Sequence, residues 1–190
     1  MKIGLFFGSF NPIHIGHLII ANHVLNETPL DKVWFVVSPV NPFKAHSDLL
    51  DENARLALVN LAGEGDDRLV ASDIEFQLPK PSFTINTLLL LKEGHQEHDF
   101  SIIMGSDNFK DLDKWKNYQD IVSNYRLLIY LRSGFEVKNE INATIELLNA
   151  PILNISSTAI RESIKLGKSI RYLVPDLVRG EIIAKGYYRK

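Results

Sequence analysis

Residues 3–17 read Ile3-Gly4-Leu5-Phe6-Phe7-Gly8-Ser9-Phe10-Asn11-Pro12-Ile13-His14-Ile15-Gly16-His17, an apolar run followed by a glycine-containing turn and two histidines. The change of pattern at Gly8 predicts a buried strand that is followed by a helix. A helix N-terminus presents unpaired N–H groups and a partial positive charge, which favour a phosphate group in front of it. The imidazoles of His14 and His17 would add two donors on the same side. This stretch therefore predicts a phosphate site, although an isolated pair of histidines near a turn is more often a chance surface feature.

The composition is that of a globular protein, with 45% hydrophobic and 23% charged residues. A length of 190 residues suits one sizeable core, so we expect a single domain over residues 1–190. The net charge of −2 gives no overall attraction to nucleic acid or to an anionic membrane, and we predict neither as a partner. No apolar run reaches membrane-spanning length, and polar residues interrupt the first run too early for a signal peptide.

Cysteine is absent, which excludes disulfide bonds and thiolate metal sites and fits a reducing compartment. We therefore expect a cytoplasmic protein. No group of histidines and carboxylates has the spacing of a zinc site, so we predict no metal-ligating side chain. His23, His95 and His98 have no motif partner, and we expect surface or packing roles for them.

Short apolar runs alternate with helical patterns along the chain. The predicted strands are 2–7, 32–38, 69–73, 100–104, 126–131 and 151–155. The predicted helices are 17–26, 51–62, 84–93, 115–123, 139–148, 158–166 and 175–184. Near-continuous apolar strands are typical of parallel sheets, in which helices cover both faces. The pattern predicts an α/β fold with a single doubly wound, mostly parallel sheet.

In such a sheet, the site lies at the carboxyl ends of the strands, near the switch in strand order. The polar residues of this chain follow the predicted strands, at 8–17, 39–46, 79–84, 105–107, 132 and 155–161. The last of these segments reads Ile155-Ser156-Ser157-Thr158-Ala159-Ile160-Arg161, and either serine is a good N-cap for the helix after it. Alone, it is more often a helix cap with a surface arginine. Together with residues 8–17, it predicts two helix N-termini that share a polyphosphate.

These two segments resemble the paired signature of the nucleotidylyltransferase superfamily, and within it the bacterial nicotinate-mononucleotide adenylyltransferases. The middle segments Pro81-Ser82-Phe83-Thr84, Gly105-Ser106-Asp107 and Leu112-Asp113-Lys114-Trp115 are also similar to segments of that family, in the same order. The resemblance covers almost the whole chain and implies a Rossmann-like nucleotidylyltransferase fold.

The resemblance implies that ATP reacts with nicotinate mononucleotide to give nicotinate adenine dinucleotide and pyrophosphate, with Mg²⁺ bound to the triphosphate of ATP. In this reaction a phosphate oxygen of the mononucleotide attacks the α-phosphorus of ATP in line. The attacking group is already an anion, so the protein needs no nucleophile of its own. It must hold two repelling anions together and stabilise the charge on the leaving pyrophosphate.

The family's roles can be carried onto matching positions of this chain. The resemblance implies catalytic roles for His17, His14 and Arg161. The residues expected to bind ATP are Gly8, Ser9, Phe10, His14, His17, Gly105, Asp107, Ser157, Thr158 and Arg161. Those expected to bind the mononucleotide are Lys44, Thr84, Trp115 and Arg132. Ordinary helix packing for Trp115 and a solvated loop for Lys44 remain the competing interpretations.

The chain departs from the family pattern at two positions. The loop after the second strand often carries a proline-histidine-lysine run, but here Phe43 precedes Lys44 and the histidine is His46. Asn86 stands where an aspartate is common, and both residue types support a first helical turn. The role of His46 therefore stays open.

Three alternatives remain beside this interpretation. Phosphopantetheine adenylyltransferases share the chemistry, but those chains are typically shorter and commonly have threonine at the position of His14. A fragment of a class I aminoacyl-tRNA synthetase lacks support, because this chain has no second lysine-rich signature loop. The third is a non-catalytic nucleotide sensor. The sequence leaves open whether the acid or the amide mononucleotide is preferred, and whether the protein forms a homo-oligomer.

Overall fold

Six strands lie side by side in one sheet in the computed structural model, which describes residues 1–40, 48–151 and 153–189. The strands are β1 (Lys2–Gly8), β2 (Lys32–Val37), β3 (Leu69–Ser72), β4 (Asp99–Gly105), β5 (Arg126–Tyr130) and β6 (Ile145–Leu148). Their order is β3-β2-β1-β4-β5-β6, and every neighbouring pair is parallel. The predicted doubly wound sheet is confirmed, and its order reverses between β1 and β4.

Seven α-helices connect or follow the strands among the described residues. They are α1 (Ile15–Glu27), α2 (Glu52–Gly63), α3 (Thr84–Gly94), α4 (Ser106–Lys110), α5 (Tyr118–Asn124), α6 (Ser157–Lys165) and α7 (Asp176–Lys185). Two short 3₁₀ helices span Ile74–Gln77 and Leu112–Lys114. None of these helices is long and apolar enough to cross a membrane.

The sheet has a buried hydrophobic cluster on each face, because alternate strand residues point to opposite sides. Phe6 and Phe35 pack with residues of α1, α2, α6 and α7 on one face. Ile3 and Leu5 pack with residues of α3, α4 and α5 on the other. Both faces are therefore covered, which explains why the strands are apolar almost throughout.

The structure corrects the prediction for the chain between β5 and α6. Residues 145–148 form an edge strand, in which Leu148 is buried and pairs with Tyr130, where a helix over 139–148 was predicted. Residues 153–155 are irregular, although a strand was predicted over 151–155. Periodicity cannot separate a strand from a helix in so short an apolar run, and the pairing partner decided between them.

Helix boundaries differ from the prediction by smaller amounts. Helix α1 begins at Ile15 with His14 as its N-cap, two residues before the predicted start. Helix α5 begins at Tyr118, because the preceding residues form a 3₁₀ turn that ends at Lys114. Helix α4 was not predicted, since five residues are too short for a periodic signal.

Candidate active site

The loop between β1 and α1 brings backbone close to the switch point of the sheet. Phe10 is buried and has a positive φ of 45°, so its ring folds back over Gly8. A Cβ atom on Gly8 would lie only 2.8 Å from that ring, which explains the glycine at this position. Gly8, Ser9 and Phe10 therefore form a tight wall directly in front of α1.

The two histidines stack on each other at the start of α1, with ring centroids 3.7 Å apart. The backbone N–H of His14 donates to Nδ1 of His17 at 3.3 Å. In the neutral ring, this bond places the proton of His17 on Nε2, so that Nε2 is a donor. The helix start therefore sets the tautomer of His17 as well as its position.

His14 is held in its neutral form. Burial, and secondly the charge of Arg132, lower the pKa of His14 from 6.5 to about 4. Its side chain is nevertheless on the wall of a cavity of about 440 Å³ that also contains His17 and Asp107. His14 can therefore act toward an anion as a neutral hydrogen-bond donor, rather than as a cation.

The N-terminus of α6 is attached to the β1–α1 loop. The hydroxyl of Ser157 donates to the carbonyl oxygen of Pro12 at 2.9 Å, and Nη1 of Arg161 donates to that of Asn11 at 2.9 Å. The hydroxyl of Ser156 caps α6 by accepting from the amide of Ala159 at 3.2 Å. The predicted convergence of two helix N-termini is therefore present in the structure.

Asp107 and Arg132 face each other after β4 and β5, with Oδ2 and Nη1 3.4 Å apart. The pair lies behind Gly105, where a Cβ atom would overlap the Asp107 carboxylate and approach Cδ of Arg132 to 3.0 Å. The backbone amide of Arg132 donates to the Ser106 hydroxyl at 2.9 Å, which fixes the end of β5 against α4. Arg132 therefore lies with the histidines rather than beside Trp115.

A second cavity, of about 360 Å³, opens on the other side of Gly8. We name it the tryptophan cavity, because Trp115 and the first residue of α3, Thr84, line it. Trp115 is half-buried there, and Lys116 covers the neighbouring ring of Phe83 with Nζ 4.9 Å from its centroid. Thr84 and Trp115, which the resemblance assigned to the same substrate, thus lie in one cavity.

Three adjoining cavities form one continuous cleft along the carboxyl ends of the strands. The cavity at the histidines, named the histidine cavity, shares His17 and Ser157 with a central cavity of about 400 Å³. The central cavity contains Arg161 and shares Gly8 and Asn108 with the tryptophan cavity. The predicted site residues therefore line one cleft, apart from Gly105 behind it and Lys44. Lys44 and His46 lie outside the described residues.

Sequence reasoning missed Arg55, a fully buried arginine of α2. Nη1 donates to the carbonyl oxygens of Ser9 and Ser38 at 2.6 and 2.7 Å, and Nη2 donates to that of Pro39 at 2.9 Å. One guanidinium thus joins the loops that follow β1 and β2. Its spacing from Leu58 and Val59, which places it on the apolar face of α2, was the available signal.

Glu75 was also missed, and it supports the wall of the tryptophan cavity. Its carboxylate is buried and accepts from the hydroxyls of Ser82 at 2.6 Å and Thr87 at 2.9 Å. Burial raises the pKa of Glu75, and the two hydroxyl donors oppose that change. Because Ser82 and Thr87 lie on either side of Thr84, Glu75 holds the start of α3 in place.

A parallel sheet of this order, with two helix N-termini and a histidine pair at its switch point, defines a nucleotide-binding α/β protein. The chain belongs to the cytidylyltransferase-like family, whose model matches residues 5–163.

The chain is similar along its whole length to curated bacterial proteins. It is 49% identical to a protein of Flavobacterium johnsoniae named probable nicotinate-nucleotide adenylyltransferase, over 100% of both chains. It is 48% identical to a protein of Bacteroides fragilis with the same name, over 96% of this chain and 91% of that protein.

Solved structures share the fold. The nicotinic acid mononucleotide adenylyltransferase of Plasmodium falciparum, solved in complex with NaAD, has a TM-score of 0.83 at 22% identity. The two chains match over 98% of this chain and 97% of that one. A putative nicotinate-nucleotide adenylyltransferase from Vibrio parahaemolyticus has a TM-score of 0.74, also at 22% identity, over 100% and 96% of the two chains.

Proposed function

We propose that this protein transfers the adenylyl group of ATP to nicotinate mononucleotide, which yields nicotinate adenine dinucleotide and pyrophosphate, a step of NAD biosynthesis. The observation that carries the proposal is the attachment of the α6 N-terminus to the β1–α1 loop through Ser157 and Arg161. It places two positive helix ends and a histidine pair on one cleft, as a polyphosphate requires. The names of full-length relatives at 46–49% identity support the same reaction.

The phosphates of ATP fit the central cavity, where it meets the histidine cavity. His17 would donate from Nε2 to the α-phosphate, and neutral His14 would support it from the stacked position. The backbone amides at the start of α6 and the Arg161 guanidinium would hold the β- and γ-phosphates. The Ser157 hydroxyl already donates to Pro12, so we assign its amide rather than its hydroxyl to the phosphates.

The mononucleotide fits the tryptophan cavity. Its pyridine ring would stack on Trp115, and backbone amides at the start of α3, near Thr84, would receive its carboxylate. Its phosphate would then reach toward Gly8, at the junction with the central cavity. Arg132 lines the central cavity and offers this phosphate a positive charge.

The chemical step is a single in-line displacement. A phosphate oxygen of the mononucleotide forms a bond to the α-phosphorus, and the bond from that phosphorus to the bridging oxygen of the β-phosphate breaks. The electron pair leaves with pyrophosphate, so the residues that contact the leaving group stabilise the growing charge. The protein contributes position and preorganised donors rather than a covalent intermediate.

Nucleotidyl transfer from ATP generally uses a divalent metal ion, and we propose Mg²⁺ for this protein. Asp48 supplies the carboxylate of the central cavity among the described residues, and it is already paired with Lys165 at 3.1 Å. This donor set fits an ion that is bound mainly by the triphosphate. When bound, the ion would neutralise charge on the phosphates.

The adenosine would lie in the histidine cavity, with Asp107 as an acceptor for a ribose hydroxyl. Nη1 of Arg132 lies 3.4 Å from Oδ2 of Asp107 and so restrains this carboxylate. Gly105 allows the close approach of the two side chains.

A panel of acceptors with ATP tests the proposal. Pyrophosphate release should require nicotinate mononucleotide, and neither nicotinamide mononucleotide nor phosphopantetheine should replace it efficiently. Release with phosphopantetheine would instead identify the sibling adenylyltransferase. Binding of ATP without release in the presence of any acceptor would identify a nucleotide sensor. Either result would overturn the proposal.

A further inference from the structure

A turn at the opposite end of the sheet brings two histidines and a glutamate together. Residues 95–98 connect α3 to β4, and the amide of His98 donates to the carbonyl oxygen of His95 at 3.1 Å. This bond closes the turn, so that the two imidazoles stack with centroids 5.5 Å apart and planes within 13°. Glu97 lies between them in sequence and offers its carboxylate to both rings.

The distances among these groups suit one metal ion. Oε1 of Glu97 is 3.3 Å from Nδ1 of His98 and 3.9 Å from Nδ1 of His95. One ligand atom from each residue lies within 4.8 Å of the other two. Ligands of a tetrahedral Zn²⁺ with bonds near 2.05 Å are about 3.3 Å apart, so the set closes when the half-buried His95 ring turns toward His98 and the exposed Glu97 rotates inward.

The burial of His98 is a second, independent observation. Its side chain is only 9% exposed, and its buried Nδ1 makes no hydrogen bond of acceptable geometry among the described residues, although Oε1 of Glu97 lies 3.3 Å away. A buried polar atom without such a partner costs free energy unless something else satisfies it. That atom faces the Glu97 carboxylate, which points to a ligand shared by both groups.

We propose that His95, Glu97 and His98 bind a divalent transition-metal ion of the Zn²⁺ class. Two imidazoles and one carboxylate are a common ligand set for such ions, and the set leaves a fourth position for water. His95 is also the C-cap of α3, where the helix dipole favours a positive charge. This inference does not depend on the proposed reaction.

The metal site is structural in character because it lies far from the cleft. Strand β4 separates it from Gly105 by seven residues, or about 20 Å of extended chain. The bound ion would tie the end of α3 to the start of β4. No zinc-like spacing is visible in the sequence, because a tight turn rather than a helix or a paired motif brings the ligands together.

Trp34 provides a direct readout for this site. Its ring lies edge-on to His95 and His98, with centroids 5.3 and 6.2 Å away. In a Trp115→Phe background, Trp34 is the one remaining tryptophan of the chain. Titration of metal-free protein with Ni²⁺ should quench the fluorescence of Trp34 at one equivalent, and diamagnetic Zn²⁺ should displace Ni²⁺ and restore it.

Two variants and a control decide the outcome. His98→Ala and Glu97→Gln should each weaken Ni²⁺ binding by about tenfold to 100-fold, which is the loss of affinity we expect when one ligand of a metal site is removed. Glu97 is 64% exposed, so that Glu97→Gln tests the site without disturbing the core. His23→Ala, which removes a histidine of α1, should bind as tightly as the parent protein.

Unchanged quenching in His98→Ala and Glu97→Gln would overturn the proposal and return the three side chains to a packing role. Equal weakening in His23→Ala would overturn it as well, because binding would then not be located at the turn. A thermal melt gives a second readout. At the same concentration, Zn²⁺ should raise the Tm of the parent protein clearly more than that of Glu97→Gln.

Discussion

At the scale of single residues, the cleft uses its two histidines in different ways. Burial and the nearby charge of Arg132 keep His14 neutral, whereas His17 is half-buried and has its tautomer set by the amide of His14. Two adjacent imidazolium ions would repel each other at a ring separation of 3.7 Å. The lowered pKa of His14 therefore keeps the stack intact at neutral pH.

The lowered pKa of His14 predicts a loss of stability in acid. The folded state binds this proton only near pH 4, but the unfolded chain binds it near pH 6.5, so acidification through this range favours unfolding. Replacing His14 with the non-titrating Gln should reduce the loss of unfolding free energy between pH 7 and pH 4.5 by on the order of 2 kcal/mol. Urea denaturation of both proteins at each pH measures this. The same pH dependence in both would contradict the assigned cause.

The position of His17 predicts a large effect on turnover. His17→Ala should lower kcat by roughly 100-fold to 1,000-fold, the usual cost of removing one donor to a transition state, while the fold stays intact. Steady-state pyrophosphate release measures kcat, and circular dichroism checks the fold. His23→Ala is the matched control on the same helix and should retain its activity. Normal turnover in His17→Ala would place the reaction centre elsewhere.

At the scale of elements, α2 sets the distance between the loops that follow β1 and β2. Strand pairing places Gly8 beside Val37 and ends with the bond from the Ser38 amide to the Gly8 carbonyl oxygen, so the described loop residues beyond it need other contacts to hold them. Arg55 satisfies three carbonyl oxygens of these loops, and its Nε donates to a fourth, that of Leu50, at 2.8 Å. The helix therefore acts on the cleft through one buried side chain.

Removal of the Arg55 guanidinium should destabilise the protein and impair the cleft. Arg55→Ala leaves buried carbonyl groups without donors, and we expect a loss of about 3 kcal/mol or more in unfolding free energy. Arg55→Lys should be intermediate, since an ammonium group cannot reach all four acceptors. Urea denaturation measures both. Arg68→Ala removes an exposed arginine and is the control, so it should leave the urea midpoint of the parent protein unchanged. A midpoint of Arg55→Ala equal to that of the parent protein would contradict the role of Arg55.

At the scale of the whole molecule, the cleft has two ends that belong to opposite sides of the sheet. Thr158 lies in the first turn of α6, one of the helices that cover one face, and Trp115 packs against the cluster on the other face. The ends meet at Gly8, which lines both the central and the tryptophan cavity. This arrangement suits two substrates that bind separately and react at the junction.

Variants at the two ends should therefore affect different substrates. Trp115→Ala should weaken binding of the mononucleotide by roughly tenfold through the loss of ring stacking, and leave ATP binding nearly unchanged. Thr158→Val should show the reverse pattern, with ATP binding weakened by about tenfold. Calorimetric titration with each substrate alone separates the two effects. Equal effects of Trp115→Ala on both substrates would return Trp115 to a packing role.

The pattern of apolar and polar residues predicted most of the strands and helices, because its strongest signals are local. Apolar strands covered on both faces, and the helix start marked by Ser156, are visible within short windows of sequence. The same windows failed at residues 145–148, where the pairing of Leu148 with Tyr130 made a strand of a segment that reads equally well as a helix. The single domain, the cytoplasmic location and a homo-oligomer stay predictions.

The amino-acid sequence alone therefore determined the sheet class, the two phosphate motifs and the family resemblance, since each depends on neighbouring residues. Only the tertiary structure decided that Arg55 joins two loops, that Glu75 supports α3, and that His95 and His98 meet around Glu97. These groups act across a fold or through the closure of a turn. Tertiary packing sets the partners of these groups, and the hydrophobic periodicity of the sequence does not predict such contacts.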